Sequence, residues 1–423
     1  MSPAPAPDSI WEATKRPLLV RLINAVGSGL KVVGVRWPRI TAEGLMAAAR
    51  RRTGLSDFGG GSFREGLGAL IDAFNAGEAV HTFGRLLFRD MVTNMLANRL
   101  RIEADIARHP EILDVPVERP IFITGLPRSG TTFLHRLMSE DPAGRTLLYW
   151  ESMFPSPPPE PATYRTDPRI AQVRRRIERV SQLSPRLAQA HELGAEIPEE
   201  DNNFYAHDFR SRILGFLYDV GAYDEWLSNN DLKGLHAYAR RQMQHLSWKL
   251  RGQYWILKAP VHLFWLPELL ATFPDAAVII THRNPCQVIP SLCSLAAGFR
   301  GILTNRLDLH RLGKGYVEGL PVACQKSIAA RETIDPSRLF DVSYDRMVAD
   351  PIATVRAACD HFGYNFTPEY ETRARRYLAE NPKHKHGAHQ YRLQDFGLTD
   401  ETVKHHFADY LTWLKGRELV KGY

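Results

Sequence analysis

A chain of 423 residues has room for one large α/β domain with a helical appendage, or for two domains, and in either case for a sizeable core. With 44% hydrophobic and 24% charged residues and a mean hydropathy of -0.29, its composition is that of an ordinary soluble globular protein and argues against an integral membrane protein. The formal charge of +7 favours anionic partners, but no zinc finger, heptad-linked basic region or aromatic ribonucleoprotein signature accompanies it, so no nucleic-acid partner is expected.

Residues 17–37, PLLVRLINAVGSGLKVVGVRW, are apolar, carry Arg21, Lys31 and Arg36, and have Trp11 and Trp37 at their flanks. Residues 11–37 therefore fit an interfacial helix in peripheral contact with a membrane, and equally a helix or hairpin packed on the main domain. Beyond Gly59-Gly60-Gly61, apolar positions Leu67, Leu70, Ile71 and Phe74, then Phe83, Leu87, Met91 and Met95, recur at helical spacing and predict core-facing helices. An N-terminal helical region over 1–115 is expected, followed by an α/β domain over 116–423.

At Pro120 the texture changes. Ile121–Thr124 is a short β-branched run entering a glycine-bounded loop, and Phe133–Met138 resumes helical spacing, which predicts strand, loop and helix. The proline-rich stretch Pro155–Pro161 leads into a polar helical insertion, about 160–235, placed to cover a site. Trp255–Lys258, Val278–Thr281 and Leu339–Val342 read as further buried strands with helical patterns after the first two. Alternation of this kind predicts a P-loop-like, mostly parallel sheet flanked by helices, with ligands beyond the C-terminal strand ends. The four cysteines, Cys286, Cys293, Cys324 and Cys359, lack CxxC spacing and follow no secretion signal; reduced, mostly buried thiols and cytoplasmic residence, with an option of attachment to the inner face of a membrane, are expected.

The loop Gly125-Leu126-Pro127-Arg128-Ser129-Gly130-Thr131-Thr132 has the glycine spacing of the triphosphatase motif GxxxxGK[ST], but Thr131 stands where that motif needs lysine. A nucleotide kinase or nucleoside triphosphatase is disfavoured on that ground. The cation, Arg128, lies inside the loop instead, beside Ser129, Thr131 and Thr132, and backbone N–H groups at a helix start complete a cradle for phosphate.

Gly-Leu-Pro-Arg-Ser-Gly-Thr-Thr resembles the 5′-phosphosulfate-binding loop of PAPS-dependent sulfotransferases, most closely in the form found in tyrosylprotein and bacterial members. The resemblance implies that Arg128, Ser129, Gly130, Thr131 and Thr132 hold PAPS as sulfuryl donor. Arg283 after the strand Val278–Thr281, with Ser291 eight residues on, resembles the family's 3′-phosphate site. Tyr344 in Val342–Val348 resembles its nucleotide-binding tyrosine, and Lys385 within Lys383–Gly387 resembles, loosely, the basic loop that closes over the 3′-phosphate. The same resemblance implies Glu151 as the base, Lys258 as the cation at the transferring group, and His262 as the rival base.

Glu151 beside Trp150 suits a partly desolvated carboxylate, and sulfuryl transfer asks chiefly for positioning and charge stabilisation, so no metal is required. His384, His386 and His389 lack strong ligand spacing. His191, Glu192, Glu196, Glu199 and Glu200 fit either acceptor contacts or an acidic solvated face. The acceptor expected is a hydroxylated small hydrophobic molecule or lipid. A non-catalytic nucleotide-binding protein at a membrane surface is the alternative outside enzymes.

Overall fold

The computed structural model describes residues 16–61, 63–77, 79–183, 193–230, 232, 234–304, 306–382 and 391–420. Among the described residues four helices come first: α1 (Leu18–Val32), α2 (Ala42–Thr53), α3 (Phe63–Ala76) and α4 (Thr82–Arg108). Then come strand β1 (Ile121–Gly125), helix α5 (Thr131–Met138), the short strand β2 (Gly144–Thr146) and α6 (Tyr149–Met153). Among the described residues five helices occupy the interval before the next strand: α7 (Pro168–Leu183), α8 (Asn202–Ala206), α9 (Ile213–Leu217), α10 (Gly221–Asn229) and α11 (Leu235–Ser247). Strand β3 (Tyr254–Lys258) leads through α12 (Leu266–Thr272) to β4 (Ala277–His282), α13 (Pro285–Leu303) and α14 (Leu309–Ala330). Strand β5 (Leu339–Ser343) and the helices after it, α15 (Tyr344–Ala349) among them, close the chain.

The five strands form one parallel sheet in the order β2-β3-β1-β4-β5. The four strands expected from their β-branched runs are present, and β2 is an addition. Its three residues, Gly-Arg-Thr, carry no apolar run, so nothing local marks it as a strand; it forms because Arg145 and its neighbours pair with the edge of β3. Alternate side chains divide the core between two faces, as the two-residue period of a strand requires. Phe122, Leu257, Val278 and Ile280 enter one apolar cluster; Ile121, Ile123, Ile256 and Ile279 enter the other. Both faces are covered by helices, which is why these strands read as continuous apolar runs.

The N-terminal helices join the first of those clusters. Phe63, Leu67, Phe88 and Leu100 pack in the same core as Phe122 and Leu257. Arg99 of α4, almost wholly buried, pairs with Asp208 at 2.9 Å and donates to the carbonyls of Phe58 and Gly60, both at 2.7 Å. A buried guanidinium is tolerable only with such full pairing, and here it ties three distant segments together. Helix α13 has the length and hydropathy of a membrane span, yet more than half of it is buried within the protein, against α14 and the sheet. Cys293, Cys324 and Cys359 are buried, Cys286 is partly exposed, and all four are free thiols.

Strand register brings the candidate groups together. Ile123 sits opposite Lys258 on one side of β1, and Gly125 sits opposite Thr281 on the other. The central strand therefore delivers the glycine loop between the C-terminal ends of β3 and β4, so that groups from three adjacent strand ends converge.

Candidate active site

The loop after β1 is held by its own backbone and by a bond to β4. Gly125 has φ 147° and Gly130 φ 94°. A Cβ on Gly125 would run into the Thr281 carbonyl oxygen, and at Gly130 the positive φ, with Met347 Cε and the Tyr344 ring alongside, disfavours any other residue. The Ser129 hydroxyl lies 2.5 Å from the Leu126 carbonyl and 2.6 Å from the Thr281 hydroxyl, fully buried. Ser129 thus ties the loop to β4, whereas the family resemblance implies a hydroxyl facing the ligand. Thr281 carries no signal of its own in the sequence, where it is one more β-branched residue of a strand. Helix α5 starts at Thr131, and its first backbone N–H groups have no partner within the helix, which leaves them for an anion.

Arg128, Ser291, Arg283 and Tyr344 come together beside this loop. Arg128 Nε donates to the Ser291 hydroxyl at 3.1 Å, and Arg283 Nη1 donates to the Arg128 carbonyl at 2.9 Å. The Arg283 guanidinium lies 4.1 Å from the centre of the Tyr344 ring. Burial pulls the Arg128 pKa down, and the charge of Arg283 adds to that, while Tyr391 and Tyr344 oppose it. Among the described residues neither guanidinium has a carboxylate partner. Two crowded cations without a counter-charge, beside open N–H groups, form a donor set that suits a phosphorylated nucleotide.

On the other flank Lys258 ends β3 and is buried. Its Nζ donates to the Thr132 hydroxyl at 3.2 Å and pairs with Glu200 at 2.6 Å. The Glu199–Glu200 segment is held there by two backbone bonds, Glu199 N to the Leu147 carbonyl at 2.8 Å and Asp201 N to the Lys258 carbonyl at 3.2 Å. Burial raises the Glu199 carboxyl above its usual range; Lys258 lowers it, and Glu200 raises it further. In the sequence these glutamates are only one option among acidic residues of the insertion. The polar run Pro198-Glu-Glu-Asp-Asn-Asn is the signal that marks them out.

Glu151 and His262 are not brought to this place. The Glu151 carboxylate is fully buried, paired with Arg145 at 2.8 Å, and accepts from the Leu148 backbone N–H at 3.0 Å and the Tyr164 hydroxyl at 3.3 Å. His262 is fully buried too, with Nε2 3.0 Å from Asp201 Oδ2 and its ring edge-on to Phe122 and Tyr205. Neither lines the large cavity at the strand ends, and every close partner of Glu151 is structural. Glu151 and His262, expected as the base and the rival base, thus stand outside the cavity wall, each held by a buried partner. Lys385, with His191, Glu192, His384, His386 and His389, lies outside the described residues. Among the described residues no group of three His, Cys, Asp or Glu side chains has the arrangement of a metal site.

That cavity, of about 1530 Å³, opens onto the loop. Arg128, Gly130, Thr132, Arg283, Tyr344 and Glu200 border it at the strand ends. Much of the remaining wall comes from α4, α7, α9, α13 and α14, with Met91, Ile177, Phe216, Leu295, Phe299 and Ile302 among its apolar side chains and Asp224, Arg300 and Arg311 among its charged ones. A polar reaction end and a long apolar chamber match what a site needs to orient an amphipathic ligand by one end.

The sequence pattern of the Sulfotransferase family matches residues 120–369. Two solved structures are similar over nearly the whole fold. Sulfotransferase STF9 from Mycobacterium avium is 34% identical with a TM-score of 0.82, covering 89% of this chain and 97% of its own. Sulfotransferase STF1 from Mycobacterium tuberculosis is 32% identical with a TM-score of 0.79, covering 88% and 99%. A curated relative, omega-hydroxy-beta-dihydromenaquinone-9 sulfotransferase Stf3 from Mycobacterium bovis, is 26% identical over 296 residues, which are 68% of this chain and 74% of the relative.

Proposed function

Because the chain belongs to the sulfotransferase family, we propose that it moves a sulfuryl group from PAPS to a hydroxyl on an apolar, lipid-like acceptor and releases PAP. The observation that carries this reading is the pair of guanidiniums, Arg128 and Arg283, set against Ser291 and the glycine loop at the polar end of a large apolar cavity. The name of the curated relative, which refers to a hydroxylated menaquinone, supports a lipid-like acceptor.

Bound there, PAPS would supply an activated sulfuryl group whose departure leaves charge on a phosphate oxygen. Arg128 and the N–H groups at the start of α5 would hold the 5′ side, and Arg283 with Ser291 the 3′-phosphate. Lys258, reaching Thr132 at the edge of the loop, stands where a cation offsets the growing charge. Glu200 takes the proton that the acceptor hydroxyl must lose, and its bond to Lys258 keeps it aimed at the loop. The base role is assigned to Glu200 over Glu151 because Glu200 borders the cavity beside Lys258 and Glu151 does not border it.

Thermal denaturation with PAP, followed by assay with radiolabelled PAPS and ω-hydroxylated isoprenoid lipids, tests the proposal. A ligand present at a hundred times its dissociation constant stabilises the folded state by about 2.7 kcal/mol, so the midpoint should rise clearly with PAP. No rise with PAP, together with magnesium-dependent ATP turnover, would point to a P-loop kinase instead.

A further inference from the structure

Helix α1 is apolar on two opposite faces. Val20, Asn24 and Gly27 turn toward the protein: Gly27 lies so close to Thr82 that no side chain fits, and the Asn24 side chain accepts from the Phe83 backbone N–H at 2.9 Å. The opposite face carries Leu18 (68% exposed), Leu22 (55%) and Val26 (62%), one helical turn apart, with Leu19 beside them. Val32, Val33, Val35 and Trp37 continue the exposed apolar strip past the end of the helix. A surface helix of a globular protein normally shows water a polar face.

Within the segment that carries this strip the charge has one sign. From Arg16 to Ala42 the chain carries Arg16, Arg21, Lys31, Arg36 and Arg39 and not one Asp or Glu. A second copy docked on the same strip would bring these cations against each other, whereas anionic headgroups would complement them. The position of the helix also matters. Its seat at Thr82 and Phe83 adjoins Ala79 and Val80, and Arg16 donates to the Thr304 carbonyl at 2.5 Å; Ala79, Val80, Leu303 and Thr304 are cavity wall.

We propose that α1 and the strip through Trp37 dock in the interfacial layer of an anionic bilayer, with Leu18, Leu22 and Val26 toward the acyl chains. Docking there sets the cavity wall formed by residues 79–80 and 303–304 next to the bilayer, so that an amphipathic acceptor reaches the apolar chamber from the lipid phase. Delivery of the acceptor rests on the proposed sulfuryl transfer; docking does not.

The test is co-sedimentation of the full chain with vesicles of phosphatidylcholine alone and of phosphatidylcholine and phosphatidylglycerol in equal parts, with PAP-dependent thermal stabilisation read on the same preparations. Wild type should sediment with the anionic vesicles, less so as salt rises. Combined Leu18→Gln, Leu22→Gln and Val26→Gln should weaken that partition at least about tenfold and leave stabilisation by PAP unchanged. Arg21→Glu should weaken binding to the anionic vesicles alone. The proposal is overturned if wild type stays in solution with both vesicle types, if the triple variant partitions like wild type, or if wild type is a dimer that the triple variant converts to monomer. Loss of PAP stabilisation in wild type would sink the proposed sulfuryl transfer, and the vesicle result would still decide the docking.

Discussion

The two ends of the cavity are built by different means. At the strand ends, position is set by backbone: a parallel ladder sets Lys258 opposite Ile123 and Thr281 opposite Gly125, and glycines at positive φ hold the loop. At the far end, position is set by the packing of α4, α7, α9, α13 and α14, and the lining is a matter of shape and apolar area. The first end is suited to charge, which needs fixed donors; the second is suited to a chain of carbon atoms, which needs only a dry and roomy surface.

The comparison breaks most severely if Glu151 turns out to be part of the reacting end. Its placement predicts that Glu151→Ala, by leaving Arg145 buried and unpaired, lowers stability by about 3–5 kcal/mol in urea unfolding, while turnover per folded molecule stays near that of wild type. A stable variant with abolished turnover would restore Glu151 as the base. Next in size, Lys258→Ala should reduce kcat by about a hundredfold to a thousandfold and change PAP affinity little, measured by single-turnover kinetics beside calorimetry. Arg128→Ala should weaken PAP binding by about 1.5–3 kcal/mol, seen as a lost shift in the melting midpoint.

The strand-end side also carries a pH signature. Burial pushes the Asp341 carboxyl up, but His282 at 2.7 Å and Arg331 at 2.9 Å more than offset it and hold the group at about 2. With a folded value below the ordinary 3.8, its stabilisation, on the order of 2 kcal/mol, is full above the ordinary value and is lost as pH falls toward 2. Wild type and Asp341→Asn should therefore differ in urea midpoint at pH 6 and converge in strong acid. The smallest effect belongs to the far end: Ile213→Val, removing one methylene from the cavity wall, should change kcat/KM for a long apolar acceptor by about 1 kcal/mol and leave PAP binding alone.

Legibility in the sequence divides along the same line. The strands Ile121–Gly125, Tyr254–Lys258, Ala277–His282 and Leu339–Ser343 are legible because a buried parallel strand is a local run of apolar residues, and the loop is legible because its glycines and hydroxyls are consecutive. Arg283 with Ser291 needs only a strand end and a helix two turns long. For Glu151 the sequence signals burial through Trp150 and a nearby proline-rich loop but not what the carboxylate meets, because its partner Arg145 sits on a strand with no apolar pattern. Glu200 is easily underrated because its link to Lys258 spans 58 positions, a distance that no local pattern encodes. The cavity wall is out of reach for a related reason, since apolar residues that line a chamber and those that fill a core share one periodicity.

The strand order has a further consequence for how such a protein can change. Arg128, Lys258 and Arg283 stand at or just past the ends of three neighbouring strands, so their spacing is set first by the sheet. Substitutions that reshape α9, α14 or the part of α13 beyond Ser291 can resize the chamber without moving those strand ends. Transfer chemistry and choice of acceptor are then inherited as separable modules, and a new acceptor can be acquired through the helical wall while the means of moving the group stays as it was.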